Sequence, residues 1–132
     1  MKVFRFMSRN EFNKYINGET LVNNKDHNKD GHNKTASVGF CFFPYAQFKP
    51  EEMLHSLTGI VSFDVCCIFE TDKKNIKRSY GRYSKAKNKD SFERITFIAK
   101  EFCTTQYSKE TFTLLKVAIP DWFDWDEWNW KY

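Results

Sequence analysis

Five short apolar runs rich in β-branched and aromatic residues recur along this chain: Val3–Met7, Thr35–Phe43, Val65–Phe69, Glu101–Thr105 and Thr111–Ala118. Each has the length of a strand, and polar clusters or a proline (Pro44, Pro120) close them, so the chain must bury its apolar surface by pairing strands. The runs 35–43 and 65–69 become apolar at both parities, which points to the inside of a sheet rather than an edge. Two helical patterns separate the runs. Ser8 followed by Glu11 is a capping box, Phe12, Tyr15 and Ile16 supply one apolar stripe, and Gly18 suits the C′ position. Pro50 opens a second helix over about 50–61, with Glu51 and Glu52 in its first turn and Met53, Leu54, Leu57, Ile60 and Val61 at helical spacing. The expected fold class is α+β, with about five or six strands and two main helices.

Weaker patterns lie between. Residues 22–34 are almost wholly polar and are expected to form an exposed loop. The stretch from Ile76 to Ser91 is basic and turn-rich, with Tyr80-Gly81-Arg82-Tyr83 as a short strand inside it. Ile95, Phe97 and Ile98 open either a strand or a helix, and Glu101 reads as the start of the strand that follows.

With 132 residues, 41% of them hydrophobic and 18% aromatic, the chain is expected to form a single domain spanning 1–132. No apolar stretch approaches the roughly 20 residues that span a bilayer, and no basic segment followed by an apolar one opens the chain. A soluble, cytoplasmic protein without a membrane contact is therefore expected. Cys41, Cys66, Cys67 and Cys103 fall in strand-like runs without Cys-x-x-Cys spacing and read as buried, reduced thiols. No metal site is expected. Asp26-x-Asn28-x-Asp30-Gly31 opens like a calcium loop, but Ser37 stands at its twelfth position and Lys25, Lys29 and Lys34 oppose a dication. His27 and His32 lack a third ligand. There is no Gly-x-Ser-x-Gly elbow, no phosphate-binding P-loop and no dinucleotide fingerprint.

Charge is segregated. Residues 121–132 hold Asp121, Asp124, Asp126 and Glu127 against Lys131, which leaves 20 Lys+Arg against 13 Asp+Glu in the rest of the chain. Such a basic body attracts nucleic acid, nucleotide phosphates or an acidic protein face. The candidate nucleic-acid contacts are Lys73, Lys74, Lys77, Arg78 and Arg82, continued by Lys85, Lys87 and Lys89, with Tyr80 and Tyr83 to stack on bases. The C-terminal run contains all four tryptophans and places Trp122, Trp125 and Trp128 on one side of a helical turn. It forms either an acidic, Trp-rich tail packed on the core or a protruding contact for a partner.

Arg5 interrupts the first apolar run. A guanidinium keeps its charge, so an inward-facing Arg5 needs a carboxylate or a phosphate, whereas on the solvent face of an edge strand it needs neither. Glu101 is a candidate acid/base group or stabiliser of an oxocarbenium-like transition state. Arg5 in the first strand, Thr35-Ala36-Ser37 opening a strand about thirty residues later, and a late Glu101 come in that order.

This order, with the strand, short helix and glycine that begin the chain, resembles the arginine–serine–glutamate branch of the ADP-ribosyltransferase superfamily. Ala99-Lys100-Glu101-Phe102 followed by Tyr107-Ser108 looks like the Glu-bearing strand and turn of its nucleic-acid-modifying members. The resemblance implies a small fold with a split, mostly antiparallel sheet and NAD as substrate. It implies that Arg5 holds the phosphate and nicotinamide-ribose end, that Ser37 with Thr35 supports the nicotinamide pocket, that Tyr83 adds to it, and that Glu101 bonds the ribose 2′-hydroxyl. The carboxylate would favour the positive charge that develops as nicotinamide departs. Ala36 and Thr35 depart from the usual Ser-Thr-Ser. Ala99 stands where arginine-modifying members carry Gln or Glu, so the implied acceptor is a nucleic acid, another side chain or a small molecule. The alternative is a non-enzymatic protein of a phage or mobile element that grips and inhibits a larger protein or nucleic-acid complex.

Overall fold

The computed structural model describes residues 1–24, 39–47, 50, 64–87, 92–120 and 128–130. In chain order the elements are β1 (Lys2–Met7), α1 (Arg9–Ile16), β2 (Leu21–Val22), β3 (Phe40–Pro44), β4 (Val65–Thr71), β5 (Lys77–Ala86), β6 (Arg94–Thr104), β7 (Gln106–Tyr107), β8 (Phe112–Pro120) and β9 (Trp128–Trp130), with a 3-10 turn at Lys73–Asn75. Seven strands form one antiparallel sheet in the order β5-β6-β3-β1-β4-β8-β9, and β2 pairs with β7 in a separate two-stranded ribbon. The fold is α+β and dominated by antiparallel sheet.

β1 lies inside the sheet and is buried on both faces. Val3 and Met7 join Phe40, Phe42, Cys67 and Phe69 under Tyr15 of α1, while Phe4 and Phe6 pack with Phe43, Cys66, Ile68 and Ala118 on the other side. Two-sided burial is why β1 and β4 lack polar alternation. The first helix forms as its sequence dictates. Ser8 Oγ accepts the Glu11 N–H at 3.1 Å, and the Gly18 and Glu19 N–H groups close onto the Tyr15 and Lys14 carbonyls at 3.0 Å each. This Schellman ending needs a left-handed residue, which Gly18 supplies at φ 82.

Several expectations are corrected. The described residues include one α-helix, α1; the second expected helix, over about 50–61, lies outside the described residues apart from Pro50, which is helical. The basic segment after Ile76 is not a short strand between turns but the ten-residue β5, paired residue by residue with β6 from Lys77↔Cys103 to Ala86↔Arg94. β6 runs unbroken over eleven residues, so Ile95, Phe97 and Ile98 are strand and Glu101 lies deep within it rather than at its start. Each strand of this hairpin is completed by the other, a partnership that local propensity cannot register. Trp128 is extended, opposite Pro120 in β9, and not on a helical turn; Trp122 and Trp125 lie outside the described residues. Among the described residues no helix is long and apolar enough to cross a membrane.

The sheet is narrowest between β1 and β3. They share two register pairs, Val3↔Pro44 and Phe4↔Phe43, whereas β1 and β4 share six. This seam separates β5-β6-β3 from β1-β4-β8-β9.

Candidate functional site

Arg5 follows the last pair of the seam. Its Nε and Nη2 donate to Glu11 Oε2 and Oε1 at 2.6 and 2.8 Å, and its Nη1 donates to the Cys41 carbonyl across the parting at 3.1 Å. The Phe40 and Phe42 rings flank the guanidinium at 5.1 and 5.8 Å. Tyr107 donates its hydroxyl to Glu11 Oε2 at 2.7 Å. The anion that an inward arginine requires is thus supplied by the chain itself, from the third position of the helix that caps β1. Burial alone would lower the Arg5 pKa, but the hydrogen bonds and charge of Glu11 outweigh it and the net displacement is upward. Burial, reinforced by the Glu11 charge, drives the Tyr107 phenol up, so it remains a proton donor.

A second cluster occupies the opposite face. The β3–β6 register sets Cys41 directly across from Cys103, with their sulfurs 3.2 Å apart. Glu101, 2% exposed, accepts a hydrogen bond from the Tyr83 hydroxyl, and its Oε2 lies 3.9 Å from Cys103 Sγ. Gly81 makes this possible, since a Cβ there would overlap the Glu101 carboxylate. The Cys41 thiol is pushed up by its bond to Cys103 and then by burial, and the Cys67 thiol by burial. All four cysteines are free thiols.

The third feature is the β5 edge. Residues 73–87 contain seven Lys and Arg and no acid, while the other 117 residues carry 14 basic against 17 acidic groups. The net positive charge of the protein therefore resides on one turn and one edge strand. Lys73, Lys74, Lys77 and Arg78 are exposed, and Lys74, Lys77, Arg78, Ser79 and Cys103 line a groove of about 430 Å³ at the base of the β5–β6 hairpin. Of β6, β3 pairs only with Phe102–Thr104, so among the described pairings the Arg94–Glu101 part of β6 has β5 as its one neighbour. Tyr80 is 44% and Ile98 63% exposed on this ribbon.

Not all the sequence-derived residues converge. Arg5 lies over Phe40 and Phe42, whereas Glu101 belongs with Cys41, Tyr83 and Phe43 on the other side of β3. Arg5 and Glu101 therefore face opposite sides of β3 and do not wall one crevice. Thr35 and Ser37 lie outside those residues, as do Asp26–Gly31, His27, His32 and Lys89. Tyr83 is half-buried, packed against Phe43 and Phe97 at 5.4 and 6.0 Å, whereas Tyr80 is exposed. Lys73 and Lys74 lie on the 3-10 turn and Lys77, Arg78 and Arg82 on β5, the strand that follows it. The residues that sequence reasoning missed are Glu11, Tyr107, Cys41 and Cys103. Glu11 carried a usable sign, a carboxylate one helical turn beyond a strand that holds an arginine; the cysteines, 62 positions apart, carried none. No protein-family model, curated protein or solved structure matches this chain.

Proposed function

We propose that the protein binds nucleic acid through the β5–β6 ribbon, with the Lys73–Asn75 turn and its groove gripping phosphates and Tyr80 meeting a base or sugar. The observation that carries this reading is charge segregation: seven Lys and Arg and no acid between residues 73 and 87, in a chain otherwise net acidic. A two-stranded ribbon is also narrow enough to enter a duplex major groove. The same lysines keep the open edge from pairing with other chains, so the test must read phosphate contact itself. Each neutralised duplex phosphate steepens the log–log dependence of affinity on salt by about 0.9. The triple variant Lys74→Ala/Lys77→Ala/Arg78→Ala is expected to flatten that slope by about 2 to 3, measured by anisotropy of a labelled oligonucleotide. Binding that ignores both salt and the triple substitution would exclude the ribbon.

A second reading is NAD-dependent ADP-ribosyl transfer, in the small ADP-ribosyltransferase-like fold that the sequence resembles. It is favoured by a buried carboxylate, Glu101, oriented by Tyr83 within the same ribbon, and by the narrow β1–β3 seam in place of a split. It keeps Glu101 and gives up Arg5 as its companion. Incubation with NAD and oligonucleotide is then expected to release nicotinamide, and Glu101→Gln to abolish release. Silence of the folded wild-type protein toward nucleic-acid and protein acceptors ends this reading.

A further inference from the structure

Cys41, Cys103 and Glu101 are brought together by strand register alone. The two sulfurs and a carboxylate oxygen all lie within 4.8 Å of one another. Two sulfurs on a tetrahedral zinc, each about 2.3 Å from the metal, stand about 3.7 Å apart, so the observed 3.2 Å needs to open by only about half an ångström. We propose that these three residues bind one zinc-class divalent cation per chain.

Two thiolates with one carboxylate suit zinc and exclude magnesium or calcium, which take oxygen ligands. The outer shell is in place, because Tyr83 donates to Glu101 and fixes it, and Phe43 and Phe97 pack around Tyr83. Cys103 is among the residues that line the groove, which brings solvent to one side of the cluster, and a tetrahedral zinc held by these three residues would take water or another ligand as its fourth. On binding, each thiol releases its proton and becomes a thiolate. Two thiolates, one carboxylate and a dication leave one net negative charge beside Lys77, which stands opposite Cys103 in the ladder. A cross-strand disulfide would account for the sulfurs but gives no part to Glu101. Metal ligation does, and it is incompatible with the NAD reading, since one carboxylate cannot serve both; it is independent of the ribbon's ligand.

The test is titration of the full-length, reduced, metal-free protein with Co(II) and then Zn(II). One equivalent of cobalt is expected to produce thiolate-to-metal charge-transfer absorption, bleached by one equivalent of zinc. Cys41→Ser and Cys103→Ser should each weaken zinc more than about 100-fold, Tyr83→Phe by about 10- to 100-fold, and Cys67→Ala, on the opposite face, not at all. Should a serine variant unfold by circular dichroism, Glu101→Gln supplies the same comparison through weakened zinc affinity. Absence of the charge-transfer band in the folded protein, its persistence in both serine variants, or a Cys41–Cys103 disulfide as the stable form under reducing conditions would overturn the proposal.

Discussion

Glu11→Gln is expected to lower the free energy of unfolding by about 3 kcal/mol, read from urea denaturation against the wild-type chain. The substitution keeps shape and leaves the Ser8 cap intact, so the loss reports the ion pair together with the Tyr107 hydroxyl bond to the same carboxylate. Arg5 and Glu11 are 18% and 14% exposed, and the guanidinium cannot shed its charge. Without the carboxylate it keeps at most one neutral acceptor on the amide oxygen of the introduced glutamine, the Cys41 carbonyl and two aromatic faces, and no counter-charge. Breaking one side of a buried pair costs about 3 to 5 kcal/mol, and this pair's residual solvent contact sets it at the lower end. Arg5→Met combined with Glu11→Leu should recover most of that loss, because both charges leave together. A Glu11→Gln protein as stable as wild type would mean that Arg5 finds its anion elsewhere, and would return it to the role of a ligand-binding residue.

The second large effect is expected at Gly39. Its φ is 83, and an added Cβ would overlap the Thr104 carbonyl while lying 3.0 Å from the Asn23 carbonyl. Both obstacles are backbone, so no rotamer change relieves them. Gly39→Ala should therefore cost at least about 3 kcal/mol, the left-handed conformation accounting for about 1 to 2 of it and displacement of β3 from β6 for the rest. Because Phe40 pairs with Thr104 and Cys41 with Cys103, the strain falls on the ladder that aligns the thiols. Urea unfolding of the variant measures it. A loss below about 1 kcal/mol would show that β3 enters the sheet by another path.

Legibility followed the range of the interactions. The Ser8 cap and the Gly18 stop were readable because every atom involved lies within a few residues, and the β1, β4 and β8 runs were readable because burial on one or both faces is written into hydrophobic parity. β5 was not. Its Lys77–Ala86 sequence has the polarity of a loop, and it is a strand because β6 offers it ten register partners. Glu101 was found for its chemistry and misplaced in its element. Glu11 was found for its element and missed for its chemistry, since one carboxylate can serve either a helix end or a neighbouring arginine and only the packing of α1 over β1 decides between them.

The sequence by itself determined the α+β class, the first helix with both its ends, the two-sided burial of the central strands and the concentration of cations between residues 73 and 87. Tertiary structure alone decided that Arg5 is answered from within the chain, that Glu101 faces the other way, and that two cysteines far apart in sequence meet. The physical reason is that side-chain parity sets a face only once strand order and register are fixed, and those are properties of the whole sheet, to which each run contributes but which none contains.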